Sequence, residues 1–264
     1  MGASRGMGGE FAVDVKGESL LALDYFSAGV PAYGYFELEV SGLKKLVRES
    51  RSLSGLNQTA EVCLIALSAY FEAFCKAQFA AVINICPTTL RNFVEKRKDA
   101  TLDLENVLAV LDQTEHKLGY LLSEDHDFGS AKEINALYYD LLGITPFSAK
   151  EKKKYQKFLN DRNLLVHHGG IYTFKYLAQR FRTRTAPGLP HWSSLVVTRQ
   201  DHDRWATFLA RMAHKIASTS RLALEGHVKG EGIFLSPEQT KAVAFLCDQP
   251  CQISDSQQSA TTLQ

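Results

Sequence analysis

Several familiar routes to function are missing from this 264-residue chain. No Gly-rich phosphate loop opens a helix and no G-x-S-x-G elbow is present, which removes the commonest nucleotide-cradling and serine-hydrolase signatures. Cysteine is scarce: only Cys63, Cys75, Cys86, Cys247 and Cys251. The count is odd, three of them fall in one apolar stretch as small hydrophobes, and Cys247 and Cys251 have no second pair and no nearby His. Neither a disulfide scaffold nor a zinc site is expected. No signal-peptide pattern stands at the start, so the expected setting is reducing and cytoplasmic. Long apolar runs are also wanting. The best, residues 62–85, is broken by Glu72, Lys76 and Gln78, and no membrane span is expected. There is no internal repeat. Net charge is nearly absent too, at +1.

The distribution of charge is less even than its sum. From Lys150 to Arg199 there are eleven Lys and Arg against two acids, Glu151 and Asp161. From Asp103 to Asp140 there are nine acids against Lys117 and Lys132. Such asymmetry points either to an anionic partner at the basic segment or to two segments that pack together and neutralise each other.

What is plentiful is helical periodicity. Residues 1–34 form a leader, Gly-rich and patternless over its first ten residues and expected to be partly disordered. Residues 35–50 repeat Phe36, Val40, Leu43 and Val47 at helical spacing. Residues 58–85 are apolar on nearly every face, from Val62 through Phe71, Phe74 and Phe79 to Ile85, which marks the buried hub of a bundle. Pro87 ends that helix. Shorter helices follow over 88–98 (Leu90, Phe93 and Val94 inward), 102–123 and 130–142. Ser148 and Glu151 make a capping box that starts another helix. Residues 171–181 read as a short helix, 183–194 as a loop and Leu195-Val196-Val197 as at most one short strand. Residues 201–225 form a long amphipathic helix through Trp205, Phe208, Leu209, Met212, Ile216 and Leu222. Residues 236–246 are a last helix with Pro237 at its first position. The chain beyond Asp248 is Gln/Ser/Thr-rich and expected to be disordered. The fold class is all-α: a bundle over 35–226, preceded by the leader and followed over 227–264 by a short helix and a tail.

On the hub, Ser68, Glu72 and Lys76 form a polar stripe. Glu72 either pairs with Lys76 one turn on or meets Arg162 inside the bundle, where a lone charge is costly.

The helix begun at Ser148 closes on Asp161-Arg162-Asn163-Leu164-Leu165-Val166-His167-His168-Gly169-Gly170. Asn163 and His167 stack four residues apart on one face, while Arg162 and His167 diverge by about 140° at a helical period. The Gly pair ends the helix and places both His in its last turn, where the helix dipole favours a cation. That position suits a proton donor. His167 and His168 point about 100° apart and do not chelate one metal ion easily.

Arg162-Asn163-x-x-x-His167 resembles the R-x4-6-H motif of the HEPN superfamily, all-helical domains in which a polar residue follows the Arg and the motif lies on a late helix. The likeness spans residues 35–225 and implies an up-and-down bundle with peripheral short helices. It implies a metal-independent endoribonuclease that needs no cofactor and uses the 2′-OH of the RNA to yield a 2′,3′-cyclic phosphate. Arg162 then holds the phosphate, His167 moves the proton and Asn163 orients it, with His168 as the alternative His and Glu72 in support. The resemblance also implies a homodimer whose facing helices unite two motifs, and a toxin or phage-defence setting with a cognate antitoxin or defence partner. Lys150, Lys152, Lys153, Lys154 and Lys157, with Arg180, Arg182 and Arg184, are the candidate RNA contacts; the alternative for the lysines is a solvated helix start. Two further readings stand beside catalysis. One is an inactive HEPN module that binds nucleotide, RNA or protein. The other is a bundle that acts only through surfaces such as the helix of Trp205.

Overall fold

The computed structural model describes residues 20–50, 57–97, 108, 114–181 and 193–247. The regular elements are helices: α1 (Leu20–Leu23), α2 (Ala32–Glu49), α3 (Gln58–Ile85), α4 (Leu90–Lys96), α5 (Thr114–Glu124), α6 (Ala131–Leu142), α7 (Ala149–His168), α8 (Phe174–Phe181), α9 (Arg199–Gly230) and α10 (Pro237–Phe245). Short 3-10 turns lie at Ser27–Gly29 and Pro87–Thr89. The fold is all-α. Where at most one short strand was expected, at Leu195–Val197, a single antiparallel bridge joins Ile171 to the adjoining Ser194. Residues 102–107, 109–113, 182–192 and 248–264, with the expectations attached to them, lie outside the described residues.

α3 is the axis. Asn57 caps it, its Oδ1 accepting the Ala60 N–H at 3.0 Å. Cys86 closes it because Pro87 supplies no N–H to continue the ladder. Phe71, Phe79, Val82, Ile83 and Ile85 are fully buried, each such side chain contributing on the order of 2 kcal/mol by removal from water. α2, α5, α7 and α9 surround it. By length and composition α3 is apolar enough to cross a bilayer, more so than its interrupting Glu72 and Lys76 suggested. The same apolarity serves a helix enclosed by four others. Val62, Val94 and Leu222, expected to face inward, are exposed instead. Each has a sound helical period, but among the described residues no helix covers its side.

The two ends of the described chain are part of this core rather than appendages. Ala22, Phe26 and Tyr33 are buried, and Asn84 Nδ2 donates to Tyr25 O at 3.3 Å. Near the other end, Gln78 Nε2 donates to Leu246 O at 3.1 Å and Gln239 Nε2 to Ile85 O at 2.9 Å. Ala242, Val243 and Leu246 are buried against the rest. A bundle whose hub is apolar all round needs cover on every side, and these short segments provide it.

α7 starts as expected. Ser148 and Glu151 form the full capping box. Glu151 also receives Lys215 Nζ of α9 at 2.7 Å, which ties the motif helix to the long last helix. Burial pushes the Glu151 carboxyl up, but hydrogen bonds from Lys215 and Ser148 outweigh it and hold the group down at about 2.

Among the described residues no ion pair joins an acid of 103–140 to a base of 150–199. Asp140 pairs with Arg97, at 2.6 Å. Of the lysines in the first half of α7, Lys150, Lys152, Lys153 and Lys157 face solvent.

Candidate functional site

Gly169 and Gly170 stop α7 with positive φ of 56° and 82°, a conformation that costs a residue with a side chain about 1–2 kcal/mol. The Gly169 N–H reaches Leu165 O, the bond of an αL helix cap, and the Gly170 N–H reaches Leu164 O, both at 3.1 Å. The chain then reverses. Gly170 O accepts the Leu195 N–H at 2.8 Å, and Tyr172 N–H donates to Ser193 O at 3.1 Å. α8 therefore folds back along the C-terminal half of α7. Thr173 Oγ1 caps it by accepting the Tyr176 N–H at 3.1 Å, and the Tyr176 hydroxyl donates to Asp161 Oδ1 at 2.7 Å.

Between the two helices lies a cleft of about 330 Å³. α7 lines it with Gln156, Asn160, Asn163, His167 and His168; the other wall is Thr173, Lys175, Tyr176 and Gln179. Among the described residues no carboxylate lines it. Asn163 and His167, four residues apart, share the face that points away from the core, as their spacing requires.

Arg162 is elsewhere. It is half-buried on the core side of α7, and its Nε donates to Ser68 Oγ of α3 at 3.3 Å. It shares that face with the buried Tyr155, Phe158 and Leu165. Its charge bears on the Tyr155 phenol, which burial first, and then the charges of Cys75 and Glu72, hold well above the ordinary range; Arg162 pulls it down. Glu72 thus stands near the same buried ring, but it makes no ion pair with Arg162 or with Lys76, contrary to both expectations. One helix cannot bring Arg162 and His167 to one point, because a side chain aimed at the hub is one aimed away from solvent.

Lys150, Lys152, Lys153 and Lys157 are exposed. Lys152 and Lys153 continue the solvent stripe of Gln156, Asn160, Asn163 and His167 toward the start of α7. Lys154 turns the other way and lies over the Phe208 ring, 4.5 Å from its centroid. Arg180 is half-buried, and its charge bears on Asp161. Arg182 and Arg184 lie outside the described residues. Also among the described residues, no three His, Cys, Asp or Glu side chains gather at metal-ligand distance.

The chain matches no family model, no curated protein and no solved structure. Any reading of this cleft therefore rests on its own residues.

Several lining residues of the cleft lie outside the motif. Gln156 and Asn160, whose side chains bond at 3.0 Å, were legible as an i, i+4 pair in register with His167. Thr173, Lys175 and Gln179 were not, because they reach the cleft only through the chain reversal. Asp161 was also missed. It is buried, and burial lifts its carboxyl above the usual range while the Tyr176 hydroxyl, Arg180 and Arg204 pull it back.

That pair yields a test of the cleft wall. Tyr176→Phe removes the donor to a buried carboxylate and is expected to cost about 1–3 kcal/mol. Asp161 binds its proton more readily folded than unfolded, so a charged Asp161 weighs on the fold as pH rises. Loss of the Tyr176 bond lifts the folded value further. The deficit should be largest at pH 7 and shrink toward pH 4, as the carboxyl protonates. Urea unfolding of both proteins at the two pH values measures it; equal deficits would contradict the assignment.

Proposed function

We propose that the protein binds single-stranded RNA along the solvent face of α7 and cleaves it without a metal ion, with His167 as the proton-transfer group. The observation that carries this is the exposed stripe of Lys152, Lys153, Gln156, Asn163 and His167, which runs into a cleft that no carboxylate of the described residues lines. At a rise of about 1.5 Å per residue the stripe is about 22 Å long, enough for several nucleotides. Cations at one end suit phosphates, carboxamides in the middle suit base edges, and an imidazole stands at the other end. In the reaction the 2′-oxygen bonds to phosphorus as the bond from phosphorus to the 5′-oxygen breaks. A neutral imidazole takes the 2′-OH proton and a cationic one returns a proton to the leaving 5′-oxygen. The products are a 2′,3′-cyclic phosphate and a 5′-OH. Two copies with facing α7 helices supply the two imidazoles. The resemblance of Arg162-Asn163-x-x-x-His167 to the HEPN motif supports this reading, including its HEPN-like bundle and homodimer, and is the sole basis for a toxin or defence role.

A second reading is favoured by Arg162. With its guanidinium turned to Ser68 and not toward His167, the motif serves the fold, and the α7 face binds RNA without cutting it. Incubation of end-labelled single-stranded RNA with the protein in EDTA separates the two. Cleavage is expected, with ends that polynucleotide kinase can phosphorylate directly. Salt-sensitive binding with intact RNA would select the second reading. Absence of both binding and cleavage would remove RNA as the ligand.

A further inference from the structure

We infer that Lys175 is the cation that holds a nucleotide phosphate in the His167 cleft, in place of an Arg162 that faces inward. The inference rests on the reading of that cleft as an RNA site and names the group that would complete it. Three observations carry it.

The first is position. Lys175 and His167 line the same cleft of about 330 Å³ from opposite walls. A phosphate between them meets an ammonium on one side and an imidazole on the other. Lys175 also stands in the first turn of α8, where the helix's partial positive charge adds to its own.

The second is availability. Lys175 is exposed and makes no hydrogen bond or ion pair among the described residues. Of the other cations around this end of α7, Arg162 bonds to Ser68, Lys154 lies over Phe208, Arg204 pairs with Asp201 at 2.8 Å, and Arg180 does not line the cleft.

The third is selectivity. The remaining polar lining is carboxamide, with Gln156, Asn160 and Asn163 on one wall and Gln179 on the other. A carboxamide offers a donor and an acceptor side by side, which matches a base edge. Among the described residues no carboxylate lines the cleft to compete for the ammonium, and the nearby Asp161 is taken up by the Tyr176 hydroxyl. The ligand that fits all three is one nucleotide of an RNA strand, with its phosphate on Lys175 and its base on the carboxamides. The wall that presents Lys175 is held at three points: the double-glycine turn, the Leu195 N–H to Gly170 O bond and the Tyr176 to Asp161 bond.

The test compares wild type, Lys175→Ala and Lys175→Arg, with matched thermal unfolding to show that the exposed substitution leaves the fold intact. Affinity for a fluorescein-labelled single-stranded RNA is measured over a range of salt in EDTA. Lys175→Ala is expected to weaken binding about tenfold at low salt, the worth of one charge-assisted contact. It should also flatten the slope of log affinity against log salt by about 0.7, the value for one phosphate on a single strand. Lys175→Arg is expected to restore both. An unchanged slope in Lys175→Ala with RNA still bound overturns the role of Lys175 and leaves the RNA reading standing. If wild type binds no RNA, a nucleoside monophosphate is titrated while the His167 imidazole NMR signals are followed. A shift in wild type that Lys175→Ala abolishes keeps the phosphate role and removes the RNA reading. No shift in wild type overturns both.

Discussion

On the function proposed above, His167→Ala is expected to lower the rate of RNA cleavage by about 10²–10⁴-fold, the range for loss of a positioned general acid or base. RNA affinity stays within a few-fold, because the lysines and carboxamides of the α7 stripe remain. Stability changes little as well. His167 is exposed and makes no hydrogen bond with another described residue, so its removal leaves no buried group unpaired. This combination separates chemistry from folding in a way that Arg162→Ala does not. Arg162 is half-buried against Ser68, and its truncation removes a contact between α7 and α3 along with whatever it does for RNA. Loss of activity in Arg162→Ala together with a lower Tm is therefore weak support for a catalytic Arg. Loss of activity in His167→Ala at an unchanged Tm is strong support for a catalytic His. Cleavage by His167→Ala at the wild-type rate would end that assignment.

Gly119→Ala is expected to destabilise the fold by about 2–4 kcal/mol, combining overpacking with a broken buried hydrogen bond. A β-carbon at Gly119 would drive into the carbonyl of Ala80 and lie 2.8 Å from Asn84 Oδ1. The Ala80 carbonyl is main chain within α3 and has no rotamer to escape into. α5 must then retreat from α3, which breaks the bond from Gly119 N–H to Asn84 Oδ1, now 2.7 Å. For a chain of this size the loss corresponds to a fall in Tm of roughly 5–15 °C, readable by circular dichroism. Gly42→Ala is the control. Nothing lies within 4 Å of a β-carbon there, so the change raises helix propensity in α2 by about 0.5–1 kcal/mol. A Gly119→Ala protein as stable as wild type would mean that α5 does not approach α3 this closely.

Neither glycine announces its role in the sequence, since Gly42 and Gly119 both sit in apolar-periodic stretches. The difference lies in what each faces, and Ala80 is 39 residues from Gly119. The same limit runs through the site. Asn163 and His167 were placed correctly on one face because a helical period relates residues four apart. Ser148 and Glu151, and the stop at Gly169 and Gly170, were legible because caps and positive φ are matters of a few neighbouring residues. The hub from Gln58 to Ile85 was legible at both ends for the same reason. Glu72 was not: the choice between Lys76 and Arg162 as partner was open, and the structure takes neither.

By itself, then, the sequence determined an all-helical chain, both ends of α3 and α7, and which side chains of α7 share a face with His167. It did not determine the full reach of α9, which runs Arg199–Gly230 against the expected 201–225. The tertiary structure decided which way that face points. It turned Arg162 onto Ser68, 94 residues away, and brought Lys175 to His167 through a reversal at the double glycine. Local order comes from hydrogen bonds within one turn of helix, which the order of residues specifies directly. The inward or outward sense of a helix face comes from which side buries more apolar surface against its neighbours. For α7 that side is Tyr155, Phe158 and Leu165, and Arg162 goes in with them.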